Sequence, residues 1–148
     1  MITHASFTLE RTYNAPPERV FAQFADRDLK KKWFSGPPGW TSVAGEIDFR
    51  VGGREVDAGG PPGGPVHWFK AQYYDIVDNE RIVYAYEMYL DDNRISVSVS
   101  TIEFEPAGGG TRLVMTEQGA FLDGHDDPTY REAGTKEMLE ALGAALDG

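Results

Sequence analysis

The sequence predicts an α+β fold in which a curved antiparallel sheet wraps around a long C-terminal helix. Two observations predict it: segments with two-residue apolar alternation are joined by short turn sequences, and an amphipathic segment ends the chain. Consecutive hairpins build an antiparallel meander, and the sheet and the helix each have an apolar face that needs a partner. A strongly bent sheet cannot follow a straight helix along its whole length. We therefore expect a gap between them, and this gap is the candidate site.

The N-terminal third is expected to contain one strand and two short helices. Alternation of apolar and polar side chains over residues 7–13 predicts a half-buried strand. Pro16 and Pro17 mark the start of a helix, because proline suits positions whose amide donors would be unpaired anyway. Asp26 or Asp28 is expected to cap a second helix, which ends at the Gly- and Pro-rich residues 36–39.

The middle of the chain is rich in strand patterns. Ile47, Phe49 and Val51 alternate with polar residues, which predicts a strand that Gly52 and Gly53 break. Residues 58–65 contain only Ala, Gly and Pro and are expected to form a mobile loop. Further strands are predicted over residues 66–77, 82–90, 94–105 and 111–119, with hairpin turns at residues 78–80, 91–93 and 108–110.

The last predicted element is a helix that begins near Asp126 and Asp127, where a capping carboxylate precedes Pro128. Spacings of three and four residues define the face that is expected to lie on the sheet. Its members are Tyr130, Gly134, Met138, Ala141, Leu142 and Ala145. Because Gly134 has no side chain, it is expected either to leave room for a ligand or to allow close contact between helix and sheet.

Length and composition are those of one globular domain, which we place at residues 1–148. The absence of cysteine excludes disulfides, thiolate catalysis and zinc–cysteine sites. We expect a cytoplasmic protein without a membrane span, because the N-terminus lacks a signal-peptide pattern and no apolar run approaches ~18 residues. The net charge of −10 argues against nucleic acid as a partner. The one basic run, Lys30 to Lys32, is expected to be solvated.

Five segments, in order across most of the chain, carry a resemblance to a known family. They are Arg11…Ala15-Pro16…Val20-Phe21, Trp33-Phe34…Gly39-Trp40, Asp48-Phe49-Arg50-Val51-Gly52-Gly53, Ile76…Glu80-Arg81-Ile82-Val83-Tyr84 and Gly110-Thr111-Arg112-Leu113…Thr116-Glu117. These segments resemble the START-like (SRPBCC, or Bet v 1-like) superfamily, which has a helix-grip fold. Within it they look most like the family built on the C-terminal domain of the activator of heat-shock protein 90 ATPase.

The resemblance implies a β-α-α-β6-α order and an elongated pocket between the sheet and the last helix. Members bind apolar small molecules, act as aromatase/cyclases or serve as stress-related accessory proteins. Many members have Gly-Trp in the last helix where this chain has Gly134-Thr135, so we expect a wider or reshaped pocket. The full co-chaperone has an additional N-terminal domain that corresponds to nothing in this sequence, which argues against a chaperone partner.

The predicted strands place one carboxylate among apolar side chains. Tyr84, Tyr86 and Met88 share a strand face that is expected to point inward, and Glu117 shares a face with Met115 on a later strand. An inward carboxylate would have a raised pKa and could act as an acid, a base or a hydrogen-bond partner. Alternatively, Glu117 lies near the end of the sheet, exposed to water or paired with a residue of the helix.

The candidate ligand-binding residues are mostly aromatic or apolar side chains, which line the gap or form the core. They are Trp33, Trp40, Phe49, Phe69, Tyr84, Tyr86, Met88, Met115, Glu117, Gly134, Met138 and Leu142. Tyr84, Tyr86 and Glu117 are expected to orient a ligand, and Glu117 is the one candidate for a catalytic group.

No metal or cofactor is expected. The acidic cluster from Asp123 to Asp127 has ligand residue types, but it is contiguous and is better explained by a helix cap. Ser96, Ser98 and Ser100 alternate along one predicted strand, so we interpret them as one polar face and not as nucleophiles.

Three functions remain open from the sequence. The first is binding of an apolar, aromatic or lipid-like small molecule. The second is a cyclase or hydrolase type of enzyme that uses Glu117 or a tyrosine as general acid or base. The third is an interaction module that docks on a chaperone or on itself, since exposed sheet edges allow a homodimer. An open pocket would favour the first two, and a closed interior with room for about one water would favour the third.

Overall fold

The computed structural model describes residues 1–148 and confirms the helix-grip fold in the order β-α-α-β6-α. The elements are β1 (Ile2–Tyr13), α1 (Pro17–Ala25), α2 (Arg27–Lys30), β2 (Thr41–Ile47), β3 (Arg54–Gly60), β4 (His67–Val77), β5 (Arg81–Leu90), β6 (Asn93–Ala107), β7 (Gly110–Leu122) and α3 (Pro128–Asp147). All strands form one seven-stranded antiparallel sheet in the spatial order β1-β7-β6-β5-β4-β3-β2. The curved sheet holds the helices on its inner face, where the core lies.

The helix starts follow the sequence signals. Pro17 occupies the first turn of α1, and the Asp26 side chain accepts hydrogen bonds from the backbone N–H groups of Asp28 and Leu29 at the start of α2. Asp127 accepts a 2.8 Å hydrogen bond from the N–H of Thr129 at the start of α3. Of the two alternatives for the α2 cap, Asp26 is therefore the residue that caps.

Three tight hairpins hold β4 to β7 in register. The predicted turns at residues 78–80, 91–93 and 108–110 are confirmed, and left-handed backbone at Asn79 (φ 65°), Asp91 (φ 52°) and Gly109 (φ 84°) closes them. The register places Ser98 opposite both Tyr86 and Gly119. The inward faces of β5, β6 and β7 therefore form one continuous surface.

Two predicted segment boundaries are wrong. The strand predicted through Ile47 and Val51 ends at Ile47, because the next residues form a tight turn in which the Gly53 N–H donates to Arg50 O. A Cβ on Gly53 would lie 2.0 Å from Asp48 O, so only glycine fits this turn. Residues 58–60 of the predicted loop are instead the end of β3, because they pair with β2 and β4 on both sides and that pairing overrides their low strand propensity.

The predicted inner face of α3 is also partly wrong. Tyr130 is 74% exposed, and a Cβ built on Gly134 meets no atom within 4 Å, so Gly134 borders solvent and not the gap. The face on the sheet contains Thr135, Leu139, Leu142 and Leu146. This face begins with polar residues, so a search for apolar residues at helical spacing does not identify it. No helix, α3 included, combines the length and the apolarity needed to cross a membrane.

Candidate functional site

The site is built on the inward face of β5. Tyr84 and Tyr86 are buried and Met88 is half-buried against the core, so the predicted orientation of this strand is correct. The ring of Phe69 on β4 packs against both tyrosine rings, with centroids 6.3 Å from Tyr84 and 5.0 Å from Tyr86. This aromatic packing fixes the two tyrosine hydroxyls relative to the neighbouring strands.

Glu117 lies on the inward face of β7 and is 5% exposed. The Tyr86 hydroxyl donates a 2.5 Å hydrogen bond to Glu117 Oε1. Burial raises the pKa of the Glu117 carboxyl above its ordinary 4.5, although the Tyr86 bond, the charge of Arg131 and the adjacent Ser100 hydroxyl partly offset the rise. The alternative of a water-exposed Glu117 at the end of the sheet is therefore wrong, and no cation forms an ion pair with this carboxylate.

Arg131, in the second turn of α3, closes the site from the helix side. Its Nη2 donates to Asp126 Oδ2 (2.7 Å) and to Ser96 Oγ (2.9 Å), and its Nη1 donates to the Tyr86 hydroxyl (3.2 Å). The guanidinium carbon also lies 5.0 Å from the centre of the Phe121 ring. Arg131 was missed by the sequence reasoning. The available signal was the position of Arg131 four residues before Thr135, which places both residues on the same face of α3.

The inward face of β6 is lined by serines. Ser96, Ser98 and Ser100 share one face as predicted, but that face is buried and points toward α3. Ser100 is fully buried opposite Tyr84 and Glu117, and its Oγ makes no well-aligned hydrogen bond, although it adjoins both side chains. Gly119 on β7 lies so close that a Cβ there would be 2.6 Å from Ser98 Oγ. Gly119 therefore allows β6 and β7 to pack closely where the sheet faces the start of α3.

A gap of about 10 Å³ lies at this position, between Glu117, Ser98 and Phe121 on the sheet and Pro128 at the start of α3. It has room for about one water, so this gap is far smaller than the elongated and widened pocket that the family resemblance predicts. A larger depression of about 500 Å³ lies on the outer face of the sheet, around Val97 and Val99. That depression is open to solvent and contains no charged side chain.

The other predicted site residues are distributed over the core. Trp33, Met115 and Leu142 are buried, and Phe49 and Met138 pack against the core from its margin. Trp40 lies apart from them and stacks on His67, with ring centroids 4.6 Å apart. The structure therefore brings Tyr84, Tyr86 and Glu117 together, whereas Trp40 and Gly134 lie outside this cluster.

A second buried carboxylate lies on the inward face of β3. Glu55 Oε1 accepts hydrogen bonds from Lys30 Nζ (2.6 Å) and from the Tyr73 hydroxyl (2.5 Å). All three side chains are buried, so the prediction that Lys30 is solvated is wrong. The long lysine side chain turns inward because Glu55 compensates its charge, while Lys31 and Lys32 stay exposed.

Chemically, the Glu117 site can accept a hydrogen bond, or supply a proton once the carboxyl is protonated. Its groups act at one point: the carboxylate, the Tyr86 hydroxyl and the guanidinium of Arg131 are linked by hydrogen bonds. No group of three His, Asp or Glu side chains is placed to hold a metal ion.

Comparisons with known proteins identify the family. The family model described as "Activator of Hsp90 ATPase homolog 1-like protein" matches residues 14–147. No protein with a curated description matches the sequence. Among solved structures, the Mll3558 protein from Rhizobium loti is 45% identical, with a TM-score of 0.91 over 98% of this chain and 99% of that chain. An uncharacterized protein from Rhizobium leguminosarum is 41% identical, with a TM-score of 0.94 over 99% of this chain and 97% of that chain.

A third similar structure is the CV1439 protein from Chromobacterium violaceum, which is 29% identical with a TM-score of 0.82 over 97% of each chain. The match to the family model extends over nearly the whole sequence, and the 45% and 41% identical structures each cover nearly all of it. The chain therefore belongs to the Activator of Hsp90 ATPase homolog 1-like protein family, whose helix-grip domain is of a general ligand-binding type.

Proposed function

We propose that the protein binds a small molecule with an apolar body and a hydrogen-bonding head group between the sheet and α3. The head group binds at Glu117. The observation that carries this proposal is a buried carboxylate with one hydrogen bond and no ion-pair partner, beside a gap at the start of α3. A buried carboxylate costs free energy unless it is paired. A ligand that donates a hydrogen bond would supply the missing partner.

Binding requires the first half of α3 to move, because the gap now has room for about one water. The two halves of the helix are held differently. Leu139, Leu142 and Leu146 bury the second half in the core. In the first half the only buried residue is Thr135, and the hydrogen bonds of Arg131 are its main attachment to the sheet. Release of Arg131 would therefore open the gap without disturbing the core.

The second half of α3 also has polar attachments that would stay in place during such a movement. The Tyr13 hydroxyl donates a 2.8 Å hydrogen bond to Leu139 O, and Arg19 Nη2 donates a 3.0 Å hydrogen bond to Leu146 O. These bonds tie the helix to β1 and α1. A hinge near the middle of α3 is therefore the expected motion.

An apolar ligand body would lie against the aromatic side chains that adjoin the gap. Phe7 and Phe121 border it, and Tyr86 and Phe69 continue the apolar surface along the sheet. Burial contributes about 25 cal/mol per Å² of apolar surface before association costs are subtracted. The apolar contact would supply affinity, and Glu117 with Tyr86 would fix orientation.

A second candidate function is acid–base catalysis at the same position. It is favoured by the raised pKa of Glu117 and by the 2.5 Å hydrogen bond from Tyr86. A third, an interaction module, is favoured by the near absence of free space in the gap.

A single domain over residues 1–148, a cytoplasmic location and a homodimer remain part of our proposal.

Binding can be tested with the neutral fluorescent probe N-phenyl-1-naphthylamine. The free protein should bind the probe and melt at a higher temperature in its presence. Arg131→Met should raise the association rate severalfold, because it removes the attachment of the first half of α3. Arg19→Met is the matched control: it removes a hydrogen bond from the second half of the helix and should leave the association rate unchanged.

Native mass spectrometry of gently purified wild-type protein gives an independent test, which does not depend on any variant folding. A retained small molecule would support binding. If gentle preparations are always empty and the probe neither binds nor raises the melting temperature, the binding function is wrong and the interaction module is preferred.

A further inference from the structure

We infer that two copies of this chain join edge to edge, with β1 of one copy paired antiparallel to β1 of the other about a two-fold axis at Phe7. The inference rests on the homodimer in the proposed function and assigns it an interface and a register. It is independent of ligand binding at Glu117. It comes from the unequal protection of the two sheet edges and from the order of the side chains along β1.

The strand at one edge of the sheet, β2, is protected against further pairing. It is short, and its pairing with β3 is interrupted by a bulge between Ser42 and Ala44. Arg27 Nη2 also donates a 3.0 Å hydrogen bond to the backbone oxygen of Gly45. Short length, a bulge and a covering charged side chain are the usual protections of an edge strand. A second copy is therefore not expected at β2.

The strand at the other edge, β1, is long and open. It pairs with β7 over Ile2–Tyr13 without a bulge and contains no proline or lysine. In the same register, Met1 O accepts a 2.7 Å hydrogen bond from Asp123 N. Because residues of an antiparallel strand bond alternately to either side, the odd-numbered residues bond to β7 and the even-numbered residues face the open edge. The Glu10 oxygen accepts from Arg11 Nη1, and the rest of this row can accept another strand.

The side chains of β1 are complementary to those of a second β1 strand. In a sheet that continues across a two-fold axis, residues directly opposite each other point to the same face. When Phe7 lies opposite itself, polar residues meet polar residues and apolar residues meet apolar residues. The pairs are His4 with Glu10, Ala5 with Leu9 and Ser6 with Thr8. His4 and Glu10 are exposed, so the imidazole is free to donate a hydrogen bond to the carboxylate of the other copy.

Other registers match these side chains less well. An axis at Ser6 would place Glu10 opposite Ile2, and an axis at Glu10 would bring two carboxylates together. The axis at Phe7 pairs Glu10 with His4, which is the other ionisable residue among the even-numbered positions of β1. Each copy has a net charge of −10, so two copies associate best where no like charges meet.

Sedimentation equilibrium of the full chain at pH 7 tests whether the dimer forms. A pair of edge strands buries less surface than a standard interface, so the measurement should cover about 1–500 μM protein. We expect the mass of one chain at the lowest concentration and of two chains at the highest.

Ser6→Pro tests the edge itself. The Ser6 N–H faces the open edge, so proline removes a hydrogen bond of the dimer and none of the bonds to β7. The variant should stay monomeric over the whole range and melt near the wild-type temperature. A dimer of unchanged strength would overturn the inference.

A charge exchange tests the register and needs no change of backbone, so it is decisive even if Ser6→Pro unfolds. His4→Glu places a carboxylate opposite Glu10 twice in each dimer and should weaken association about ten-fold. His4→Glu/Glu10→His exchanges the members of the pair and should restore it. Ser42→Glu is the matched control, because it makes the same change of charge at an exposed position of β2, and it should leave association unchanged.

The outcomes separate the interface from the rest of the proposal. Equal weakening by His4→Glu and Ser42→Glu, or no recovery in the double variant, would overturn the β1 pairing and leave the homodimer in place. A monomer at every concentration would overturn the inference together with the homodimer, and the edge would then be open to an extended segment of another protein. Neither result affects ligand binding, which the probe measures on its own.

Discussion

The two buried carboxylates of this protein differ in one partner. Glu55 and Glu117 both lie on the inward face of the sheet, both are 5% exposed, and each accepts a 2.5 Å hydrogen bond from a tyrosine hydroxyl. Glu55 also forms an ion pair with Lys30 at 2.6 Å. Glu117 has no such cation, because the nearest one, Arg131, is paired with Asp126.

This difference separates a structural carboxylate from one that is available to a ligand. The Lys30–Glu55 pair joins α2 to β3, and Lys30 Nζ also lies 4.6 Å from the centre of the Phe34 ring. These contacts satisfy Glu55 within the fold. Glu117 keeps unused acceptor capacity beside the gap between the sheet and the start of α3.

The largest expected effect belongs to Lys30→Met. This variant leaves Glu55 buried without its cation, and removal of one partner of a buried ion pair costs about 3–5 kcal/mol of unfolding free energy. Urea denaturation at pH 7 measures the change.

The double variant Lys30→Met/Glu55→Gln is the control, because it removes both charges. It should recover most of the lost stability, since replacing a whole buried pair is often nearly neutral. A loss below about 1 kcal/mol for Lys30→Met alone would show that Glu55 does not depend on its cation.

The two tyrosines come next. Tyr86→Phe removes the one hydrogen bond to Glu117, so we expect a loss of about 1.5–3 kcal/mol in unfolding free energy. Tyr73→Phe leaves Lys30 on Glu55 and should cost less, about 1 kcal/mol. Thermal and urea denaturation of both variants give the comparison, and an equal or larger loss for Tyr73→Phe would argue against the asymmetry between the two carboxylates.

Glu117→Gln should alter the pH dependence of stability. Because burial raises the pKa of Glu117 above 4.5, the folded protein binds this proton more tightly than the unfolded chain does. Ionisation of Glu117 therefore destabilises the fold as the pH rises from about 4.5 through its folded-state pKa. Each unit of pKa difference corresponds to about 1.4 kcal/mol.

The variant should thus be more stable than the wild type at pH 7, and the difference should vanish below about pH 4. Urea denaturation of both proteins from pH 4 to pH 8 measures it. A stability difference that is constant over this range would mean that Glu117 has an ordinary pKa in the folded protein.

The smallest effect is expected for Gly134→Ala. Gly134 lies in the middle of α3 with open space around it, so alanine should raise the unfolding free energy by about 1 kcal/mol. Binding of the naphthylamine probe should stay unchanged, because this position faces away from the gap. Weaker probe binding would restore the original prediction that Gly134 lines the site.

The sequence predicted the parts of the fold that depend on local patterns. Alternation set the inward direction of Tyr84 and Tyr86, and turn residues such as Gly109 placed the hairpins. Asp127, as a capping residue before Pro128, marked the start of α3. These features follow from backbone geometry and from strand or helix periodicity, which need no knowledge of distant partners.

The polar interior could not be predicted in the same way. Lys30 is buried because Glu55, 25 residues away, compensates its charge. Arg131 turns toward the sheet because Asp126, Ser96 and Tyr86 accept its hydrogen bonds. A prediction from apolar periodicity places such charged residues on the outer surface of the protein. The inner face of α3 was misassigned for this reason, since it starts with polar residues.

The ionisation of Glu117 decides whether its carboxylate is unpaired. Its side-chain carboxyl ¹³C shift can be followed by NMR from pH 3 to pH 9, with assignment from the signal that is missing in Glu117→Gln. We predict a titration midpoint above 4.5, because burial is not matched by a cation. A midpoint at or below 4.5 would mean that Arg131 compensates the charge, and Glu117 would then be a structural carboxylate like Glu55.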